Sequence, residues 1–194
     1  MSCVVGVLAL QGAFEKHVEM LSSLGVTSQL VRSAIELEQC SALIIPGGES
    51  TTMSMLIQKF DLYDNLRRFS EERPVMGVCA GAILMAESVD DSRVTPLNIM
   101  PVRAVRNNYG RQIHSFSAEL NLSFDINGPA YHGFFIRAPL LEAKDKNIET
   151  LVIYNGVPVM LKKGHHIALT FHPELTDDNR VHLYWLSSFH PAFN

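Results

Sequence analysis

Residues 4–10 form a continuous apolar run rich in β-branched side chains, the pattern of a strand buried on both faces. Residues 13–24 then show helical spacing, with Phe14, Val18, Leu21 and Leu24 on one face and Gly25 at the end. Short apolar runs predict further strands at 27–31 and at 42–45, the latter stopped by Pro46-Gly47-Gly48. Residues 51–69 read as a helix in two pieces, broken near Asp61. A fourth strand at 75–78 leads through a glycine-bracketed turn into a helix-forming run at 80–87. The second half changes character, with short strand candidates at 101–105, 115–122, 131–136, 151–154, 157–161 and 167–171. Asn127-Gly128 and Asn155-Gly156 punctuate them, and the second pair, between two apolar runs, predicts a hairpin. A last helix is expected at 177–189, with Thr176 or Asp177 as its N-cap. This order predicts an α/β protein with a doubly wound, three-layer mixed sheet and an antiparallel extension, in a single domain spanning 1–194.

Composition narrows the classes. The chain has 194 residues, 47% of them hydrophobic, enough to bury a substantial core. Its net charge of -4 is spread over interspersed signs, which gives neither a basic nucleic-acid surface nor a membrane-seeking face. No apolar stretch approaches the roughly 20 residues of a spanning helix. The start, Met1-Ser2-Cys3-Val4-Val5, lacks the basic region and cleavage site of a signal peptide. The widely spaced Cys3, Cys40 and Cys79 form neither a disulfide framework nor a metal set, and a reducing cytoplasm is expected.

Three strand ends carry candidate chemistry. In Gly77-Val78-Cys79-Ala80-Gly81 a cysteine sits between glycines at a strand-to-helix turn, as in a nucleophile elbow with Cys in place of Ser. A helix N-terminus favours thiolate, the nucleophilic form. The same pattern, alone, fits a buried structural cysteine equally well. In Phe171-His172-Pro173-Glu174 a base and an acid follow another strand. Pro173 favours an extended His172, so Glu174 can hold one imidazole nitrogen while the other faces Cys79. An isolated His-Pro-Glu is more often an ordinary strand-end histidine. Pro46-Gly47-Gly48-Glu49-Ser50-Thr51-Thr52 offers backbone N–H groups for an oxyanion or polar substrate, or serves as a plain turn with a helix cap. It lacks the lysine of a phosphate-binding loop. In open α/β sheets ligand sites gather at such strand ends.

Together these segments resemble class I, triad-type glutamine amidotransferases, a flavodoxin-like fold. Further stretches resemble one branch, the glutaminase subunits of pyridoxal 5'-phosphate synthase: Leu8-Ala9-Leu10-Gln11-Gly12, the Gly47-to-Thr52 loop, Arg106-Asn107-Asn108-Tyr109-Gly110-Arg111-Gln112, and Phe135-Ile136-Arg137-Ala138-Pro139. The likeness runs from the first strand to the last helix. The family often has an aspartate where this chain has His114, the stretch 88–96 is compact and polar, and the tail after Trp185 is short.

The resemblance implies a Cys79-His172-Glu174 triad that hydrolyses L-glutamine to glutamate and ammonia through a glutamyl thioester. It implies an oxyanion site at the N–H groups of Gly48 and Ala80, and a glutamine site built from Gly48, Glu49, Ser50, Arg106, Ile136 and Arg137. No cofactor or metal is implied. The implied partner is a (β/α)8-barrel synthase subunit in a dodecameric core that receives the ammonia. Gln11, on the rim, is a candidate partner contact or a polar loop residue. Two alternatives are a triad glutaminase of another pathway and a catalytically silent assembly subunit. The Arg106-to-Gln112 and Ile136-to-Pro139 segments argue against the first, and the intact triad against the second. His165-His166 point to opposite faces of a strand and do not suggest a shared metal, and Cys3 and Cys40 read as structural thiols.

Overall fold

The computed structural model describes residues 3–106 and 115–193. Its first half alternates strand and helix: β1 (Val4–Leu8), α1 (Phe14–Ser23), β2 (Thr27–Val31), α2 (Ala34–Glu38), β3 (Ala42–Ile45), α3 (Ser50–Lys59), α4 (Tyr63–Glu72), β4 (Val75–Val78) and α5 (Ala80–Met85). The second half is rich in strands: β5 (Ala86–Val89), β6 (Met100–Val105), β7 (Ser115–Leu120), β8 (Tyr131–Ile136), β9 (Leu140–Ala143), β10 (Glu149–Tyr154), β11 (Val157–Lys163) and β12 (His166–Leu169). A 3-10 turn at Pro173–Leu175 and α6 (Arg180–Ser187) follow, with a second 3-10 turn at Pro191–Phe193.

The main sheet has seven strands in the order β10-β11-β12-β4-β3-β1-β2. From β12 to β2 all neighbours are parallel, and β11 and β10 extend the sheet antiparallel. Successive side chains of the central strands point to opposite faces, and both faces are apolar. Leu43, Ile45 and Val75 pack with Met53, Ile57, Leu66 and Leu84 from α3, α4 and α5. Val5, Val7, Ile44, Met76 and Val78 pack on the other side with Leu21 of α1 and Val181, Trp185 and Leu186 of α6. The predicted three-layer, doubly wound architecture with its antiparallel extension is therefore present. Two smaller sheets, β5-β6-β9 and β7-β8, flank it.

The Asn155-Gly156 hairpin forms as predicted. Tyr154 pairs with Val157, and φ is 49° at Asn155 and 77° at Gly156, the paired positive values that a two-residue hairpin turn demands. The expected helix break falls at Asp61, where φ is 54°. Two expectations need correction. The run at 80–87 is helical only to Met85, because the segment at 97–99 captures the carbonyls of Leu84, Met85 and Ala86 and draws Ala86 into β5. The last helix begins at Arg180, and neither Thr176 nor Asp177 caps it. The Thr176 hydroxyl accepts the Asp178 N–H at 3.2 Å, and the Asp178 carboxylate accepts the Arg180 N–H at 3.1 Å, so local turns occupy these groups. Among the described residues, no helix is long and apolar enough to cross a membrane.

Candidate active site

Between β4 and α5 the chain turns sharply at Cys79, where φ is 49° and ψ -102°. Positive φ is strained for a residue with a Cβ, and such strain persists only where the surroundings hold it. Here the Cys79 N–H donates to the Leu169 carbonyl of β12 at 2.8 Å, and the Cys79 carbonyl accepts the Ile83 N–H at 3.1 Å. Close approach does the rest. A Cβ added at Gly81 would lie 1.9 Å from the Ile45 carbonyl oxygen, so only glycine lets α5 sit against the end of β3. Cys79 is 6% exposed, and its thiol points toward the Ile136 carbonyl, at 3.6 Å.

His172 follows β12 through the buried Thr170 and Phe171, and its N–H donates to the Phe134 carbonyl of β8 at 2.8 Å. Its backbone is extended, as a residue before proline should be. Glu174, however, does not reach it by strand alternation. Pro173 opens a 3-10 turn, and that turn brings Glu174 Oε1 to 2.7 Å from His172 Nδ1. The other ring nitrogen, Nε2, has no hydrogen-bond partner, and Cys79 lies beside the ring in the same cavity. Burial disfavours charge on this imidazole, but Cys79 and Glu174 outweigh it and raise its pKa to about 10. Burial likewise works against the Glu174 carboxylate, and His17 and His172 outweigh it and hold the carboxyl below its usual range.

His17 is a buried neighbour of this pair that sequence reasoning missed. Its Nε2 lies 3.6 Å from Glu174 Oε2, and its Nδ1 lies 3.2 Å from Nε2 of His182 in α6. Both rings are fully buried, which pushes both pKa values down, that of His182 to about 3. The signal was present, since residue 17 falls at i+3 from Phe14 and i-4 from Leu21, on the apolar face of α1.

The Gly47-Gly48 loop packs directly on these groups. A Cβ at Gly47 would come within 2.4 Å of His172 Cε1, and one at Gly48 within 2.5 Å of Gln11 Oε1. Gly47's carbonyl accepts the Ala13 N–H at 3.0 Å, and Gln11 Oε1 accepts the Glu49 N–H at 2.9 Å, which ties the loop to the end of β1. Glu49 is the N-cap of α3: its carboxylate accepts the N–H groups of Thr51 and Thr52 and both hydroxyls. Burial opposes the charge, yet these donors lower the pKa to about 2. Arg106, at the end of β6, reaches Glu49 Oε1 at 3.3 Å and also donates to the Asp91 carboxylate, and its N–H donates to Asp90 at 2.9 Å. Asp90 and Asp91 were not singled out by sequence; they lie in the polar 88–96 stretch. Asp91 is held well below the ordinary carboxyl range, chiefly by hydrogen bonds from Arg93.

A cavity of about 260 Å³ opens where these strand ends meet. It gathers Gln11, Gly48, Glu49, Ser50, Cys79, Ala80, Arg106, Ile136, Arg137 and His172, while Glu174 sits behind the imidazole. Residues 107–112 of the arginine-rich segment and His114 lie outside the described residues. Of the residues set aside by sequence, His166 accepts the Val75 N–H through Nδ1, a structural contact, and Cys40 is buried.

A nucleophile, a base with its carboxylate, and backbone donors around one cavity suit acyl transfer. Known proteins point the same way. A pyridoxal 5'-phosphate synthase subunit PdxT from Moorella thermoacetica is 42% identical over 183 residues, which are 94% of this chain and 97% of that protein. The PdxT subunit from Francisella philomiragia subsp. philomiragia is 40% identical over 187 residues, 96% of this chain and 99% of that one. A crystal structure of a glutamine amidotransferase superposes with a TM-score of 0.88 at 39% identity, covering 95% of this chain and 97% of that one. PurLQS from Thermotoga maritima, 12% identical with a TM-score of 0.69 over 100% of both chains, shares the fold alone. Residues 7–191 match the SNO glutamine amidotransferase family along nearly the whole chain, and the chain belongs to that family.

Proposed function

We propose that the cavity binds L-glutamine and that Cys79, His172 and Glu174 hydrolyse its side-chain amide. The observation that carries this reading is the convergence of Cys79 and the His172–Glu174 pair on one cavity. The chain is a glutaminase subunit of pyridoxal 5'-phosphate synthase, in keeping with its family and its PdxT relatives.

With its proton already resting on His172, in keeping with the raised imidazole pKa, the Cys79 thiolate sulfur forms a bond to the carboxamide carbon as the C=O π pair moves onto oxygen. The carbonyl oxygen takes negative charge and is held by the N–H groups of Ala80 and Gly48. As the C–N bond breaks, His172 returns the proton to the departing nitrogen and ammonia leaves. Water, deprotonated by His172, attacks the thioester carbon; the C–S bond breaks, glutamate leaves, and the Cys79 thiolate and His172 imidazolium are restored. Glu174 keeps its negative charge throughout and stabilises the imidazolium. Glu49 faces the substrate ammonium, and Arg106, braced between Glu49 and Asp91, meets the substrate carboxylate. Ser50 and the backbone around Ile136 and Arg137 complete the pocket.

Ammonia released into water is protonated and lost to synthesis. The reading therefore includes a docked acceptor, a (β/α)8-barrel synthase subunit within a dodecameric core, contacting the rim at Gln11. The whole of residues 1–194 serves as one such glutaminase domain. The free thiols of Cys3, Cys40 and Cys79 suit a reducing cytoplasm.

The test is glutamate release by wild type and Cys79→Ala, each with and without the synthase. Activity in the wild-type complex and none in Cys79→Ala is expected. An inactive wild-type complex would point to a silent assembly role, and activation only by a synthase of another pathway would move the assignment there.

A further inference from the structure

We propose that His17 is a positioning residue that donates its Nε2–H to Oε2 of Glu174, with His182 donating in turn to His17 Nδ1. The inference rests on the triad reading above and extends it inward, to a row running Cys79, His172, Glu174, His17, His182.

The Glu174 side chain is fully buried. Oε1 is taken by His172, while Oε2 has no hydrogen-bond partner and faces His17 Nε2, which has none either, across 3.6 Å. That gap exceeds a full hydrogen bond and closes with a small rotation of either side chain. A buried carboxylate oxygen with no donor is unfavourable, and more so in a low dielectric. Only one proton lies between His17 Nδ1 and His182 Nε2, which are 3.2 Å apart. If His17 supplied it, its own Nε2 lone pair would face the carboxylate, lone pair against negative charge. If His182 supplies it, His17 carries its hydrogen on Nε2, aimed at Oε2. His182 Nδ1 is then left as a bare lone pair, in agreement with its lack of a partner. Burial keeps both rings neutral, so the row fixes geometry without adding charge beside the triad.

With Oε2 held, Glu174 cannot swing away and Oε1 stays on His172 Nδ1 as the imidazolium forms and reverts. Losing the outer partner of a metal-bound histidine lowers activity by about 10–100-fold, and a loss of that order is expected for this outer contact.

The experiment compares the synthase complexes of wild type, His17→Leu, His17→Gln and Cys79→Ala, by kcat and KM for glutamine and by thermal melting. His17→Leu is expected to lower kcat by about 10–100-fold with KM within about twofold. His17→Gln, whose amide N–H stands near the lost Nε2–H, should recover most of it. Equal losses in the two variants, or a fully active His17→Leu, overturn the proposal. An active Cys79→Ala instead overturns the triad reading, whatever His17 does. Should His17→Leu fail to fold, nitrogen-15 NMR of histidine-labelled wild type decides: an Nε2–H tautomer with an accepting Nδ1 at His17 supports the proposal, and an Nδ1–H tautomer overturns it.

Discussion

The side-chain oxygen of Gln11 accepts the backbone N–H of Glu49 at 2.9 Å, joining the end of β1 to the N-terminus of α3 across the Gly47-Gly48 loop. The residue on the cavity rim is thus already engaged in shaping the loop. Gln11→Ala leaves the Glu49 N–H without its acceptor and frees the loop that carries the proposed oxyanion donor. A loss of about 1 kcal/mol is expected, read as a fall of roughly 2–4 °C in melting temperature. The rate in the synthase complex should fall about tenfold, short of the roughly 100–1000-fold that outright loss of an oxyanion donor costs. A variant that melts lower yet turns over glutamine at the wild-type rate would separate the loop from catalysis.

Gly81→Ala places a methyl group on the Ile45 carbonyl oxygen, which belongs to backbone and cannot rotate away. Either α5 lifts or β3 shifts. Overpacking of this kind destabilises by about 1–3 kcal/mol, measurable in urea. Because Cys79 immediately precedes α5, glutamine hydrolysis should fall more steeply than stability does.

Arg106→Lys keeps a positive charge but loses the planar fork that spans Asp91 and Glu49. A charged hydrogen bond contributes about 1.5–3 kcal/mol, so KM for glutamine should rise roughly tenfold or more, while kcat changes little. A fall in kcat with KM unchanged would instead place Arg106 outside substrate binding.

The His172 pKa is raised from 6.5 to about 10, so its bound proton stabilises the fold. The sign follows: that contribution is complete below about 6.5 and is lost as pH rises through about 10. Glu174, with its pKa lowered, contributes above its ordinary 4.5 and loses that contribution as pH falls. Melting temperatures of wild type and His172→Asn measured from pH 6 to 10.5 should converge as the pH increases. A constant gap would mean that the imidazole is neutral in the fold.

Much of the site was legible because its residues stand at the ends of strands whose apolar runs are unmistakable. The runs at 42–45 and 75–78 are entirely buried, and the Gly-Gly loop and Cys79 follow them directly. What escaped was either too short to show a period or set by contacts distant in sequence. The helix Ala34–Glu38 has only five residues, too few for a periodic signal, although Ser33 and Glu36 mark its start. The early end of α5 is imposed by the segment at 97–99, invisible in the run 80–87 itself. His17 reads as a polar helical residue until α1 packs against the turn holding Glu174. A helix cap was expected in the Gly47-to-Thr52 loop from its Ser and Thr residues, and the cap is instead Glu49, whose carboxylate accepts from Thr51 and Thr52.

The parallel pairing of β4 with β12 sets Gly77 opposite Ala168 and Val78 opposite Leu169, and the Cys79 N–H bonds to Leu169. Cys79 follows the last rung of this ladder by one residue and His172 by three, so the register of two neighbouring strands sets where both emerge from the sheet. A slip of one rung would turn every side chain of the shifted strand to the other face and separate the pair altogether. The pairing that holds the core together thus also fixes the points at which Cys79 and His172 leave the sheet.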